Sequence, residues 1–263
     1  MNSSQLDTKT ADTRVGLFVS CIVDVLYPKV GLATTKLLAE QGVEVVFPEN
    51  QTCCGQPAFN AGHQKDSFAL ATNFLNTFAP MLEQGEISSI VVPSGSCAAM
   101  VKHSYAALIE KNYTPSLAQK YAMVAENIYE LSEYLVDILK IEISPPDQPQ
   151  KNVTYHPCCH LLRDLKIDRQ PRLLLKNYTN ENLLSLPEDE TCCGFGGLFS
   201  LWNEEISVEM GLRKARNLKE CGAELVVVND AGCMTHLNGI LIKEGHSCRA
   251  IHIAELLAEN GTD

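Results

Sequence analysis

Cysteine is the residue with most chemistry to offer in this chain of 263 residues, and eight of the eleven cysteines fall into a repeated order. Cys21, the Cys53-Cys54 pair and Cys97 recur as Cys159, the Cys192-Cys193 pair and Cys233, with offsets of 138, 139 and 136 residues at Cys21, Cys54 and Cys97. Offsets that constant at three anchors mark an internal repeat. Four thiolates drawn to one point repel one another, so each set makes physical sense around a cationic metal centre. All-sulfur ligation suits zinc or an iron–sulfur cluster. Adjacent cysteines crowd a small tetrahedral zinc ion, whereas neighbouring thiolates can reach different irons of a broader cluster. The expectation is one iron–sulfur cluster per half, of the 4Fe-4S kind, with zinc as the alternative.

The glycines fit the same chemistry. Gly55 follows the first pair, and Gly194, Gly196 and Gly197 follow the second. Without a Cβ, a glycine lets the backbone turn sharply and bring N–H groups close to cluster sulfides, so Gly55 and Gly194 are expected to contact the cofactor. An ordinary turn glycine is the competing reading for either one alone.

Something must carry residues so distant in sequence to one place. Runs rich in Val, Ile and Leu at 15–20, 43–48 and 89–93 are each followed by helical periodicity, which reads as βαβ. The second half repeats this at 152–156, 182–186 and 224–228, with helices expected over 203–220 and 234–243. The cysteines lie just beyond predicted strands, and in a parallel sheet those loops emerge on the carboxyl edge, where open α/β folds bind ligands. The fold expected is α/β: two similar Rossmann-like parallel-sheet halves related by an internal repeat. The division is a disordered N-terminus at 1–14, a first domain at 15–142, a proline-rich linker at 143–151 and a second domain at 152–263. The tails correspond at an offset of 122, so the first half carries roughly 14 extra residues after Cys97, expected to be helical within 111–126.

Composition narrows the partners. A formal net charge of -11, from 32 acidic against 21 basic residues, disfavours nucleic acid or an anionic membrane surface. Residues 1–14 lack the apolar core of a signal peptide, and no later segment offers about 18 uninterrupted apolar residues, so a cytoplasmic chain with no membrane span is expected. In a reducing compartment an odd number of cysteines points to metal or redox chemistry rather than disulfides.

The same residues resemble a known family. Cys21 followed after 31 residues by Cys53-Cys54-Gly55, then Pro93-Ser94-Gly95-Ser96-Cys97, and later Cys159-His160, Cys192-Cys193-Gly194-Phe195-Gly196-Gly197 and Gly232-Cys233, are similar to the CCG-domain proteins. That group includes the CCG-bearing subunit of heterodisulfide reductase and the iron–sulfur subunits of glycolate and lactate oxidases. The resemblance runs from about Val15 to Leu257. The strings PSGSCAAM and GCMTHL, without any ferredoxin-like Cys-x-x-Cys-x-x-Cys domain, look most like the lactate-utilisation members. That resemblance implies a component of a multi-protein L-lactate oxidation system, working with a ferredoxin-type iron–sulfur subunit and a third subunit. The chain departs from heterodisulfide reductase where a Cys-x-x-Cys becomes Cys97-Ala98-Ala99-Met100 and Cys233-Met234-Thr235-His236, leaving four thiols per half where the relative has five.

Other residues divide between chemistry and packing. His236 is a candidate cofactor contact, as a ligand in place of the missing cysteine or a hydrogen-bond donor to sulfide, against the reading of a neutral helix-face histidine. Met100 reads as packing. His156 and His160 flank Cys158-Cys159; the constant offset favours Cys159 as the ligand and leaves Cys158 a spare thiol. Cys221 and Cys248 have no counterparts and read as small buried residues. Arg163, Lys166, Arg169 and Arg172 form a basic stretch, either a docking patch for an anion or a solvated helix face. There is no dinucleotide loop, Walker lysine or Gly-x-Ser-x-Gly elbow, so any substrate oxidation here needs partners, and enzyme status is left open. Two further functions stay in view: a cluster-dependent thiol or disulfide reductase subunit, and a zinc-stabilised non-catalytic binding protein.

Overall fold

The computed structural model describes residues 13–146 and 151–259. The expected disordered N-terminus lies outside the described residues except for positions 13 and 14, as do residues 147–150 of the expected linker. Seven strands are described: β1 Arg14–Leu17, β2 Glu44–Val46, β3 Ser89–Val92, β4 Ile128–Glu130, β5 Val153–Tyr155, β6 Leu225–Val228 and β7 Arg249–His252. They form two parallel sheets, in the order β2-β1-β3-β4 and β5-β6-β7, with Gly16 paired to both Val46 and Ile90, and Val226 to both Thr154 and Ala250.

β3 is buried along its whole length, and β1 and β6 over all but their first residue, which is why they read as unbroken Val, Ile and Leu runs instead of alternating patterns. The strand expected at 182–186 is reduced to a single parallel bridge between Thr154 and Leu184, with the Thr154 hydroxyl donating to the Leu184 carbonyl at 2.8 Å. Asn180 and Glu181 turn with positive φ just before it and Pro187 follows, so too few extended residues remain to propagate a ladder. That bridge occupies the place β2 holds in the first sheet. The helices expected at 203–220 and 234–243 are found as Glu204–Cys221 and Ala231–Lys243, and the extra residues after Cys97 include the helix Pro115–Asn127.

In the first sheet the chain winds from β1 outward to β2 on one side, and to β3 and β4 on the other. The loops after β1 and β3 therefore diverge and leave a crevice at the carboxyl edge. The second sheet makes the same crevice between β5 and β6.

The two halves pack into one body. Helix Pro28–Glu40 lies against helix Ile253–Ala258, and one apolar core runs from Val15, Val30 and Leu38 of the first half through Leu131 and Leu135 to Val226 and Leu257 of the second. Polar bonds fix the register across this seam. The Asn229 amide donates to Glu130 Oε1 at 2.9 Å and to the Ser132 hydroxyl at 2.6 Å, and Asp230 Oδ2 accepts from Ser94 Oγ at 3.1 Å and Ser96 N–H at 3.0 Å. Glu130 is fully buried, and burial pushes its carboxyl up to about 7 despite the bonds it accepts from Ser132, Asn229 and Glu133.

A carboxyl pKa raised in the folded state gives stability that is fullest below the unfolded-state value and is lost as pH rises through about 7. The wild-type chain should therefore lose on the order of 3 kcal/mol more than Glu130→Gln between pH ~5 and pH ~8 in chemical denaturation. Identical pH slopes for the two proteins would remove Glu130 as the source.

Candidate thiolate metal centre

Each thiol set is assembled from three loops at a sheet's carboxyl edge. Cys21 opens the helix Cys21–Leu26 directly after β1, and Cys97 lies in the first turn of Gly95–Ala99 after β3. Cys159 opens Cys159–Arg163 after β5, and Cys233 lies in the first turn of Ala231–Lys243 after β6. Ser94 caps one of these helices by accepting from Cys97 N–H, and Asp230 caps another by accepting from Gly232 N–H. In the first turn of a helix the free N–H groups favour negative charge nearby, so these positions suit thiolates.

The adjacent pairs enter from the third loop by the same turn in both halves. Gly55 and Gly194 adopt φ of 89° and 99°, and each sends its N–H 3.4 Å to the sulfur of the first cysteine of its pair, Cys53 or Cys192. Ser67 and Ser207 then donate their hydroxyls to the Gly55 and Gly194 carbonyls at 3.2 and 2.8 Å, tying each turn to the long helix behind it. A Cβ at Gly194 would lie 2.5 Å from the Ser207 carbonyl oxygen. Only glycine fits there.

The sulfurs are mutual neighbours: Cys21 to Cys53 is 3.6 Å and Cys193 to Cys233 is 3.4 Å. Cys53 is pushed down to about 3, first by the hydrogen bond from Cys21 and then by those from Cys54 and the Gly55 N–H, while its neighbours Cys21 and Cys54 are pushed up. Cys192 is pushed down to about 2 in the same way, first by Cys159 and then by Cys193, and those two are pushed up. One thiolate per set is thus stabilised at the cost of the others. Full deprotonation needs a cation.

Both sets open into one cavity of about 350 Å3. All eight thiols read from the sequence line it, Cys21, Cys53, Cys54, Cys97, Cys159, Cys192, Cys193 and Cys233, together with Ser20, Ser94, Ser96, Gln56, His160 and Asp230. Two crevices were expected; the packing of the halves merges them. The donor set suits a sulfur-ligated metal or iron–sulfur group. Buried cysteines converge in both halves, backbone N–H groups point at sulfur, and a buried imidazole beside the second set has no partner.

That imidazole is His156, buried completely, with neither ring nitrogen hydrogen-bonded, although the Asp189 carbonyl stands near. Its ring nitrogen and the sulfurs of Cys193 and Cys233 all lie within 4.8 Å of one another. Burial, then the nearby Lys214 charge, pushes it down to about 3, so the ring is neutral. Lys214 is also fully buried and donates to the Glu188 and Asp189 carbonyls at 2.8 and 3.1 Å, holding the loop that leads into Cys192. Burial pushes it down to about 8, which leaves it charged near neutral pH. Cys158 immediately precedes the helix that Cys159 opens, lines the cavity and contacts Cys233; burial pushes it up to about 11.

The remaining candidates separate. His236 Nε2 pairs with the Ser207 carbonyl at 3.2 Å and would meet a Cβ on Gly194, so it backs the glycine turn. Met100 is buried in the first-half core. Cys221 sends its sulfur to the Leu218 carbonyl and neighbours the buried Cys248; neither lines the thiol cavity. The basic stretch is largely committed within the fold: Arg163 to the Glu190 carbonyl, Arg169 to Asp137, and Arg172 to Asp168 and Asp189. Sequence reasoning singled out His156 and Cys158 but did not place them against Cys193 and Cys233. The available signal was position, since they stand where the repeat puts Phe18 and Ser20.

The geometry agrees with what the chain resembles. A profile of the cysteine-rich domain called CCG matches residues 15–102 and again 153–238. Lactate utilization protein A of Halalkalibacterium halodurans is 39% identical over 93% of this chain and 96% of its own, and that of Bacillus pumilus 40% identical over 93% and 98%. Among solved structures, a hypothetical protein from Helicobacter pylori shares the fold at a TM-score of 0.62 and 12% identity over 97% of this chain, which spans 50% of that longer one. With two matches of the domain and both thiol sets in register, the chain belongs to the cysteine-rich CCG-domain family.

Proposed function

We propose that this chain is the iron–sulfur electron-transfer subunit of an L-lactate oxidation system, working beside a ferredoxin-type iron–sulfur subunit and a third subunit in the cytoplasm. The observation that carries the reading is the convergence of eight thiols from two repeats on one cavity. The relatives' name, lactate utilization protein A, supports the metabolic context.

Cys21, Cys53, Cys54 and Cys97 would hold one cluster, and Cys159, Cys192, Cys193 and Cys233 the other. A bound cluster supplies one-electron chemistry at a potential set by burial, charge and hydrogen bonds to sulfur. The protein's part is positional. Gly55 and Gly194 direct N–H groups at sulfur, Ser67 and Ser207 hold those turns, and Ser94 and Asp230 cap the helices that present Cys97 and Cys233. Phe18 and Phe74 keep water from behind the first set.

The shared cavity also favours a second reading, a thiol or disulfide reductase subunit, since a small sulfur substrate placed there would meet both sets. Reduced chain that consumes a low-molecular-weight disulfide stoichiometrically, with no redox protein present, would favour that reading over electron transfer alone.

Cys54→Ser and Cys193→Ser should each remove about half of the bound iron, and Cys221→Ser none, in iron assays of anaerobically purified protein. Equal loss from all three contradicts the ligand assignment. Gly194→Ala should strip iron from the second half, because its Cβ would clash with the Ser207 carbonyl at 2.5 Å and its φ is positive. Gly55→Ala should be milder, because its nearest clash is 3.2 Å from the movable Ser67 hydroxyl. The reverse order would show that the turns do not position the thiols.

A further inference from the structure

Behind their thiols the two sets differ. The residue three before Cys21 is Phe18 and the residue three before Cys159 is His156, each fully buried. Ser67 and Ser207, which make the same bond to the two glycine turns, put the long helices in register, and seven residues further along each helix stand Phe74 and Lys214. Phe18 and Phe74 pack edge to face, with ring centroids 4.8 Å apart. In the matching place the second half sets an imidazole that has no hydrogen-bond partner beside a buried ammonium. One set is backed by hydrocarbon, the other by an imidazole and a cation.

Of the neighbouring carboxylates, all but one are paired away from the second set. Glu188 and Asp189, whose carbonyls hold Lys214, give their carboxylates to Arg213 and Arg172, and Asp168 is paired with Arg172 as well. Asp230 is the carboxylate that lines the cavity. It stands where the first half has Ser94, acts on Cys159 and Cys233 of the second set and so opposes Lys214, while Ser94, Ser96 and Gly232 donate to its oxygens and draw off part of its charge. Cys158, in the position of Ser20, adds a thiol against Cys233.

Adding an electron to a sulfur-ligated centre adds negative charge, and in a low-dielectric interior a nearby cation and a polar imidazole beside sulfur stabilise that charge more than an aromatic wall does. We propose that the centre held by Cys159, Cys192, Cys193 and Cys233 has the higher reduction potential of the two, with His156 and Lys214 setting the difference. This rests on the iron–sulfur reading above. One electron from a reduced redox-protein partner, which is itself oxidised by one electron, would then come to rest at the second set.

The test is a potentiometric titration of the anaerobically purified full chain, followed by EPR, with iron measured on every variant. Two one-electron waves are expected. Cys193→Ser should abolish the upper and Cys54→Ser the lower, an ordering read with His156, Lys214, Phe18 and Phe74 all in place. His156→Phe and Lys214→Met should each lower the upper wave by a shift equivalent to about tenfold in the one-electron equilibrium, about 59 mV, and leave the lower wave in place. His156→Gln, which keeps an N–H, should restore most of the shift. An upper wave that belongs to the Cys54 half, or one indifferent to His156→Phe and Lys214→Met with iron retained, overturns the inference and leaves the iron–sulfur reading standing. Protein with no labile sulfide and no wave at all fails the iron–sulfur reading, and this inference falls with it.

Discussion

Sulfur anions crowded into one small space repel one another, and most of this architecture answers that constraint. The eight thiols around the cavity cannot all ionise by themselves, and the alternation of depressed and raised thiols in each set expresses this. A cationic centre relieves the repulsion, and the protein contributes what a thiol cannot: helix N-termini, glycine N–H groups and, in one half, an imidazole and an ammonium. Those groups are also where the two thiol sets differ.

The scaffold meets the constraint by topology. Winding outward in both directions from β1, and again around β5 and β6, opens a crevice at the carboxyl edge of each sheet, and two of the three cysteine loops of each set border it. The third loop arrives from beside the outer strand, carrying an adjacent cysteine pair on a turn only glycine adopts comfortably. The seam then brings the crevices face to face. Asn229 and Asp230, at the end of β6, bond to Glu130 and to Ser94 and Ser96 of the first half, so the residues that close the seam are neighbours of those that cap the cysteine helices. Stability of the joined body and geometry of the cavity are one problem.

Much of this was legible in the sequence. The apolar runs at β1, β3 and β6, the period of the helix Glu204–Cys221 and the offsets of the cysteines all report local burial or spacing, which a single chain displays directly. The strand at 182–186 did not follow, because Asn180, Glu181 and Pro187 bend the chain too close on either side for a ladder to extend. The shared cavity was not legible either, since it depends on how the two sheets meet. His156 and Cys158 were noticed without being placed against the second set, and Lys214 was not noticed, for another reason. A repeat is recognised by what its halves have in common, and these three matter because they replace Phe18, Ser20 and Phe74.

Whether the convergent thiols hold iron–sulfur clusters in both halves is decided by assaying iron, acid-labile sulfide and zinc in the full chain purified without oxygen. Iron and sulfide in equal amounts, enough for two clusters per chain and with little zinc, is the expected result. Zinc in stoichiometric amount with no labile sulfide would contradict it.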